Sequence, residues 1–109
     1  VVKRTIKLVE TPVFHSLINQ YLSPLEYWDM QETLASNPGK GSVIPGAHGM
    51  RKVRWSIAGK GKSGGLRIIY LWEPDASQPA IYFVFVYRKS TQGDLTPRQM
   101  QRLISELEA

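Results

Sequence analysis

The sequence predicts an α+β domain: an antiparallel-dominated sheet of about four strands, an N-terminal helical hairpin and a C-terminal helix, in the order β-α-α-β-β-β-α. Three observations predict it. Three hydroxyl-proline pairs, Thr11-Pro12, Ser23-Pro24 and Thr96-Pro97, mark helix starts. Three apolar segments after residue 50 have strand length, and two clusters of turn-forming residues separate them. The 109 residues suit one domain spanning residues 1–109, with one sizeable hydrophobic core.

Residues 4–10, Arg-Thr-Ile-Lys-Leu-Val-Glu, alternate as a short strand does. At each hydroxyl-proline pair the hydroxyl can accept from an orphan amide of the first turn. Proline at the first helical position gives up an N–H that would bond to nothing. The first helix is expected over 12–22, with Phe14, Leu17, Ile18, Tyr21 and Leu22 at helical spacing. The second is expected over 24–37, where Glu26 completes a capping box with Ser23, and it stops at Asn37-Pro38-Gly39. So short a connection implies a hairpin. Residues 39–49 read as a glycine-rich loop. Strands are expected over 51–57, 66–72 and 80–87, joined as a meander, and a helix over 97–107 with Met100, Leu103, Ile104 and Leu107 on one stripe. Helices are expected to cover one sheet face and leave the other open.

Charge is unevenly placed. Fourteen basic against nine acidic residues give a net charge of +5, and no acid occurs between Glu32 and Glu73. That interval holds Lys40, Arg51, Lys52, Arg54, Lys60, Lys62 and Arg67, half of all the basic residues. Ordinary surfaces mix signs, so a single-sign segment points to an anionic partner. The absence of cysteine excludes a disulfide framework and a thiolate nucleophile, and favours the cytoplasm. No apolar run approaches the roughly 20 residues that span a bilayer, and no signal-peptide pattern is present, so no membrane partner is expected.

Strand alternation places Val53, Trp55 and Ile57 on the core face and Lys52 and Arg54 on the other, because burying the second set would strand two charges. Arg67 shares a face with Ile69 and Leu71. An arginine partly covered beside an apolar floor grips phosphate oxygens more strongly than one surrounded by water. The segment from Gly59 to Gly65 has the wrong spacing for a P-loop and joins strands, so Lys60 and Lys62 read as a basic hairpin tip that tracks a nucleic-acid backbone. With two histidines and no cysteine a structural zinc site is not expected, and no pair of carboxylates lies near the basic segment. No cofactor is expected. The strand aromatics Tyr70, Trp72, Tyr82, Phe83, Phe85 and Tyr87 read mainly as packing, with base stacking as a lesser use.

The run Gly49-Met50-Arg51-Lys52-Val53-Arg54-Trp55, followed by Gly59-Lys60-Gly61-Lys62-Ser63-Gly64-Gly65-Leu66-Arg67-Ile68-Ile69-Tyr70, resembles the HigB branch of the RelE toxin superfamily. The resemblance extends to Asn37-Pro38-Gly39, Val43-Ile44-Pro45-Gly46, the pair Tyr87 and Lys89, and Asp94-Leu95-Thr96. It implies a type II toxin, an endoribonuclease that cuts mRNA in the A site of the 70S ribosome without a metal, through attack of the 2′-hydroxyl on the adjacent phosphate. It also implies a cognate antitoxin, with operator DNA bound only through that complex. Catalytic roles fall to Lys52, Arg54, Arg67 and Lys89. RNA or ribosome contacts fall to Arg51, Lys60, Lys62, Tyr70 and Arg88. The better-studied branch has an arginine where this chain has Lys89-Ser90, and a tyrosine near the final helix that this chain lacks, so the general base and acid stay unassigned. Two other readings use the same basic face: an RNA- or ribosome-binding module without cleavage, and an inactivated toxin retained to bind an antitoxin.

Overall fold

A computed structural model describes residues 5–56, 65–75 and 77–108. The chain folds as β1 (Lys7–Glu10), α1 (Pro12–Ile18), α2 (Pro24–Ser36), β2 (Ser42–Val43), β3 (Arg51–Trp55), β4 (Leu66–Glu73), β5 (Ala80–Arg88) and α3 (Pro97–Glu108). The five strands form one mixed sheet in the order β1-β5-β4-β3-β2. All neighbours pair antiparallel except β1 and β5, which run parallel. The α+β class and the α3 assignment agree with the sequence, while the strand count rises from about four to five. The added strand, β2, is two residues long and sits inside a glycine-rich loop, too short to carry an alternation signal.

All three hydroxyl-proline pairs act as helix starts. Thr11 accepts from the Phe14 amide and donates its hydroxyl to the Val84 carbonyl, tying the head of α1 to β5. Ser23 and Glu26 form the reciprocal capping box. Thr96 and Gln99 form a second one, amide to side chain in both directions. The first helix is shorter than its apolar spacing suggests, ending at Ile18 with Asn19 as its C-cap. Asparagine competes for its own backbone and ends helices readily. Leu22 is nevertheless buried, carried inward by the turn that follows.

Helices cover both faces of the sheet, which corrects the one-face expectation. On one face Phe14, Ile18, Leu22, Met30 and Leu34 pack on Val53, Leu66, Ile68, Tyr70, Ile81, Phe83 and Val86. On the other, Leu103 and Ile104 of α3, with Leu95, Ala47 and Met50, pack on Ile69, Val84 and Tyr87. The physical cause is visible in β4 and β5, whose nearly continuous apolar runs suit strands buried on both sides. Each such side chain withdrawn from water contributes about 1.5–3 kcal/mol. A register shift where Ile69 faces Phe85 but Tyr70 faces Phe83 leaves Val84 as an extra residue in β5. It turns Val84 and Tyr87 toward α3, while Phe83 and Val86 stay on the α1 and α2 side.

Candidate nucleic-acid interface

The face under α3 is only partly covered, and its uncovered portion lies toward β3 and β2. Along β3, Val53 is buried and Arg54 exposed, the alternation expected from the sequence; Ile57 lies outside the described residues. The register places Arg54 opposite Arg67 on β4, and Arg67 opposite Tyr87 on β5. One row across three strands therefore reads Arg-Arg-Tyr. Arg67 is the deepest of the basic side chains, 7% exposed, and its Nη1 donates to the Leu66 carbonyl at 3.3 Å. Around this row a cleft of about 500 Å³ is lined by Lys40, Ser42, Lys52, Arg54, Arg67 and Lys89.

The turn before α3 closes one side of the cleft. Lys52 Nζ lies 3.2 Å from Asp94 Oδ1, and Lys89 Nζ donates to the Gly93 carbonyl at 2.9 Å. The Leu95 amide donates to the same Asp94 oxygen at 2.9 Å. Lys52 first, then the Leu95 N–H, hold the Asp94 carboxyl below its ordinary range, with Lys89 adding to the effect. Beneath this turn the Tyr87 hydroxyl is buried and finds no hydrogen-bond partner among the described residues. Burial, then the Asp94 carboxylate, push its ionisation up, and Arg67 opposes them.

Of the expected catalytic residues, the structure brings all four, Lys52, Arg54, Arg67 and Lys89, into one cleft. The expected RNA contacts fare differently. Arg51 faces the α1 and α2 side with Val53, and its Nη1 donates to the Gly41 carbonyl at 2.7 Å, so it braces the loop before β2. Arg88 also lies on that side, its guanidinium 5.6 Å from the centre of the Tyr21 ring. Tyr70 is fully buried; its hydroxyl donates to the Pro38 carbonyl at 2.7 Å and accepts from the Gly41 amide at 2.9 Å. It has no face to offer a base. Lys60 and Lys62 lie outside the described residues.

Sequence reasoning passed over Lys40 and Asp94 as members of the cleft. Lys40 was visible in the acid-free interval but only the pairing of β2 with β3 brings it alongside. Asp94 entered only through the resemblance of Asp94-Leu95-Thr96, and no local pattern placed it beside Lys52. A larger cavity, about 610 Å³, lies between α3, Val13 and Phe85. It gathers a single cation, Arg102, beside Glu106, and is not built for a polyanion. His48 is 3.9 Å from Glu108 and His15 is 2.7 Å from Glu10, both away from the cleft. Among the described residues no three His, Asp or Glu side chains stand close enough to hold a metal, and no helix is long and apolar enough to cross a membrane. No protein-family model matches the chain.

Proposed function

We propose that the cleft binds the phosphodiester backbone of RNA and that the chain is a metal-independent endoribonuclease acting on mRNA at the ribosome. The observation that carries the reading is the opposition of Arg54 and Arg67 on adjacent strands. Like charges directly opposite each other on one sheet face cost stability, and a neighbouring Lys52 and Lys89 add to that cost. An anion lying between them turns repulsion into binding, and two guanidiniums can grip several phosphate oxygens at once. The resemblance to the HigB branch of the RelE superfamily supports the finer reading, including a RelE-like fold, action in the ribosomal A site and control by a cognate antitoxin.

In this reading Arg67, fixed by the packing around it, holds the scissile phosphate and offsets the charge that grows on its oxygens in the transition state. The 2′-oxygen attacks phosphorus, the bond from phosphorus to the 5′-oxygen breaks, and the products are a cyclic phosphate and a 5′-hydroxyl. Lys52 and Arg54 neutralise flanking phosphates and orient the message. Lys89 stands where the resemblance leads one to expect an arginine. Much of the rate comes from the ribosome's positioning of the message against these groups.

The test is to map 5′ ends on a defined message in a purified translation system, with and without ribosomes and with excess chelator. Cuts within codons only in the presence of ribosomes, unaffected by chelation, are expected. For Arg67→Ala, shown to be folded, the expected loss of cleavage is about 100- to 1,000-fold. Full activity in that variant removes Arg67 from the mechanism. No cuts by folded, antitoxin-free wild type refute the nuclease reading.

A further inference from the structure

Two of the cleft's three lysines, Lys52 and Lys89, are already engaged. Lys52 meets the Asp94 carboxylate and Lys89 meets the Gly93 carbonyl, both oxygens of one turn, residues 93–95. Asp94 is a carboxylate paired with a basic residue of the cleft, and it satisfies Lys52 much as a phosphate oxygen would, an anionic acceptor at hydrogen-bond distance from an ammonium. We propose that Asp94 is an internal competitor for the phosphate: it occupies Lys52 in the free protein and is displaced when a phosphate enters the cleft. The proposal rests on the reading of the cleft as a phosphodiester site.

Three features support displacement over a fixed supporting role. The pair is accessible, with the Asp94 side chain 71% and the Lys52 side chain 32% exposed, and pairs so placed are weak and exchange readily. A phosphodiester carries the same single charge as a carboxylate, but it offers oxygens to Arg54 and Arg67 as well as to Lys52 and brings linked phosphates with it, whereas Asp94 reaches Lys52 from one side. The turn also retains a second anchor when Asp94 lets go of Lys52, since Lys89 holds Gly93 and Leu95 is buried beneath. The carboxylate thus raises the threshold for weak or singly charged anions and leaves the cleft open to a phosphate chain that engages several cations together.

The experiment is an NMR titration of the folded full chain with inorganic phosphate, following the Lys52 side chain and the Leu95 amide. Asp94→Asn keeps an oxygen to accept from the Leu95 amide and removes the charge. It is expected to bind phosphate about fivefold more tightly than wild type. In wild type the Lys52 and Leu95 signals are expected to move together as Asp94 is released. In a Lys52→Gln background the gain from Asp94→Asn is expected to disappear. Equal or weaker phosphate binding by Asp94→Asn overturns the proposal, as does a gain that persists without Lys52. The ribosomal cleavage assay separates the two readings. Phosphate behaviour as expected with no cleavage by wild type refutes the nuclease alone, whereas cleavage with no gain in phosphate binding refutes the competitor alone.

Discussion

Replacing Tyr70 with phenylalanine tests how the cleft's rim is held. The tyrosine ring is fully buried at the centre of the sheet, and its hydroxyl bridges two backbone groups, the Pro38 carbonyl at 2.7 Å and the Gly41 amide at 2.9 Å. Tyr70→Phe keeps the ring and leaves both groups without that partner. A net contribution of about 1 kcal/mol for the bond to Pro38, with about 1–2 kcal/mol for stranding the buried Gly41 amide, gives a loss of about 2–3 kcal/mol. For a domain of this size that lowers the melting temperature by roughly 10 °C. The same loop carries Lys40 to the cleft, so weaker RNA binding is expected to accompany the loss. Urea denaturation with an unchanged m-value reads the first effect. A loss below about 0.5 kcal/mol refutes the assignment of the loop's anchorage to this hydroxyl, and would pass that role to Arg51 alone.

Adjacent residues should separate by face. Lys89→Gln is expected to weaken RNA binding and reduce its salt dependence, while Arg88→Gln leaves both unchanged and costs about 0.5–1 kcal/mol of stability through its lost contact with Tyr21; ionic-strength titrations and urea melts read the two effects. Removing the buried hydroxyl that has no partner among the described residues by Tyr87→Phe is expected to raise stability by about 1 kcal/mol, and a destabilised variant would show that this oxygen has a partner in solution. Gly65 adopts φ +55°, and a Cβ there would meet the Trp55 carbonyl oxygen at 2.5 Å, so Gly65→Ala is expected to cost more than about 2 kcal/mol by thermal melting. Burial raises the Glu10 carboxyl, but hydrogen bonds from Tyr27 and His15 outweigh it and hold it below its ordinary 4.5. The stability from Glu10 is therefore present above that pH and lost as pH falls below it, so Glu10→Gln is expected to flatten the acid limb of a stability profile.

Much of this was legible where chemistry is local. A hydroxyl before proline needs only its own first turn, so all three helix starts were visible. The outward aim of Lys52 and Arg54 followed from the period of a strand and the cost of burying charge. What was not visible depends on partners distant in sequence. The parallel pairing of β1 and the existence of β2 are set by neighbours far along the chain. The bulge at Val84 shifts which residues of β5 face α3, and no alternation pattern marks it. Arg51 and Arg88 look like their basic neighbours in a linear reading, yet the pleat sends them to the other face, one to carbonyl groups and the other to an aromatic ring. Tyr70 needed the proximity of Pro38 and Gly41 to explain why its hydroxyl lies inside. Asp94 was hidden because its significance arises only when the turn before α3 folds back on β3.

The parallel pairing of β1 with β5 dictates an order of assembly during synthesis. Lys7 pairs with Ala80 and Glu10 with Phe83, and the Thr11 hydroxyl reaches the Val84 carbonyl across 73 residues. The hairpins that join β3, β4 and β5 close over short stretches, whereas the first strand must wait for nearly the last part of the chain. Until then the apolar residues of α1 and α2 have no sheet to cover, because the buried strand residues they pack on, in β3, β4 and β5, all follow them. A nascent chain therefore emerges with its N-terminal helices uncovered, and it completes both the sheet and the basic cleft together, only after β5 has been made.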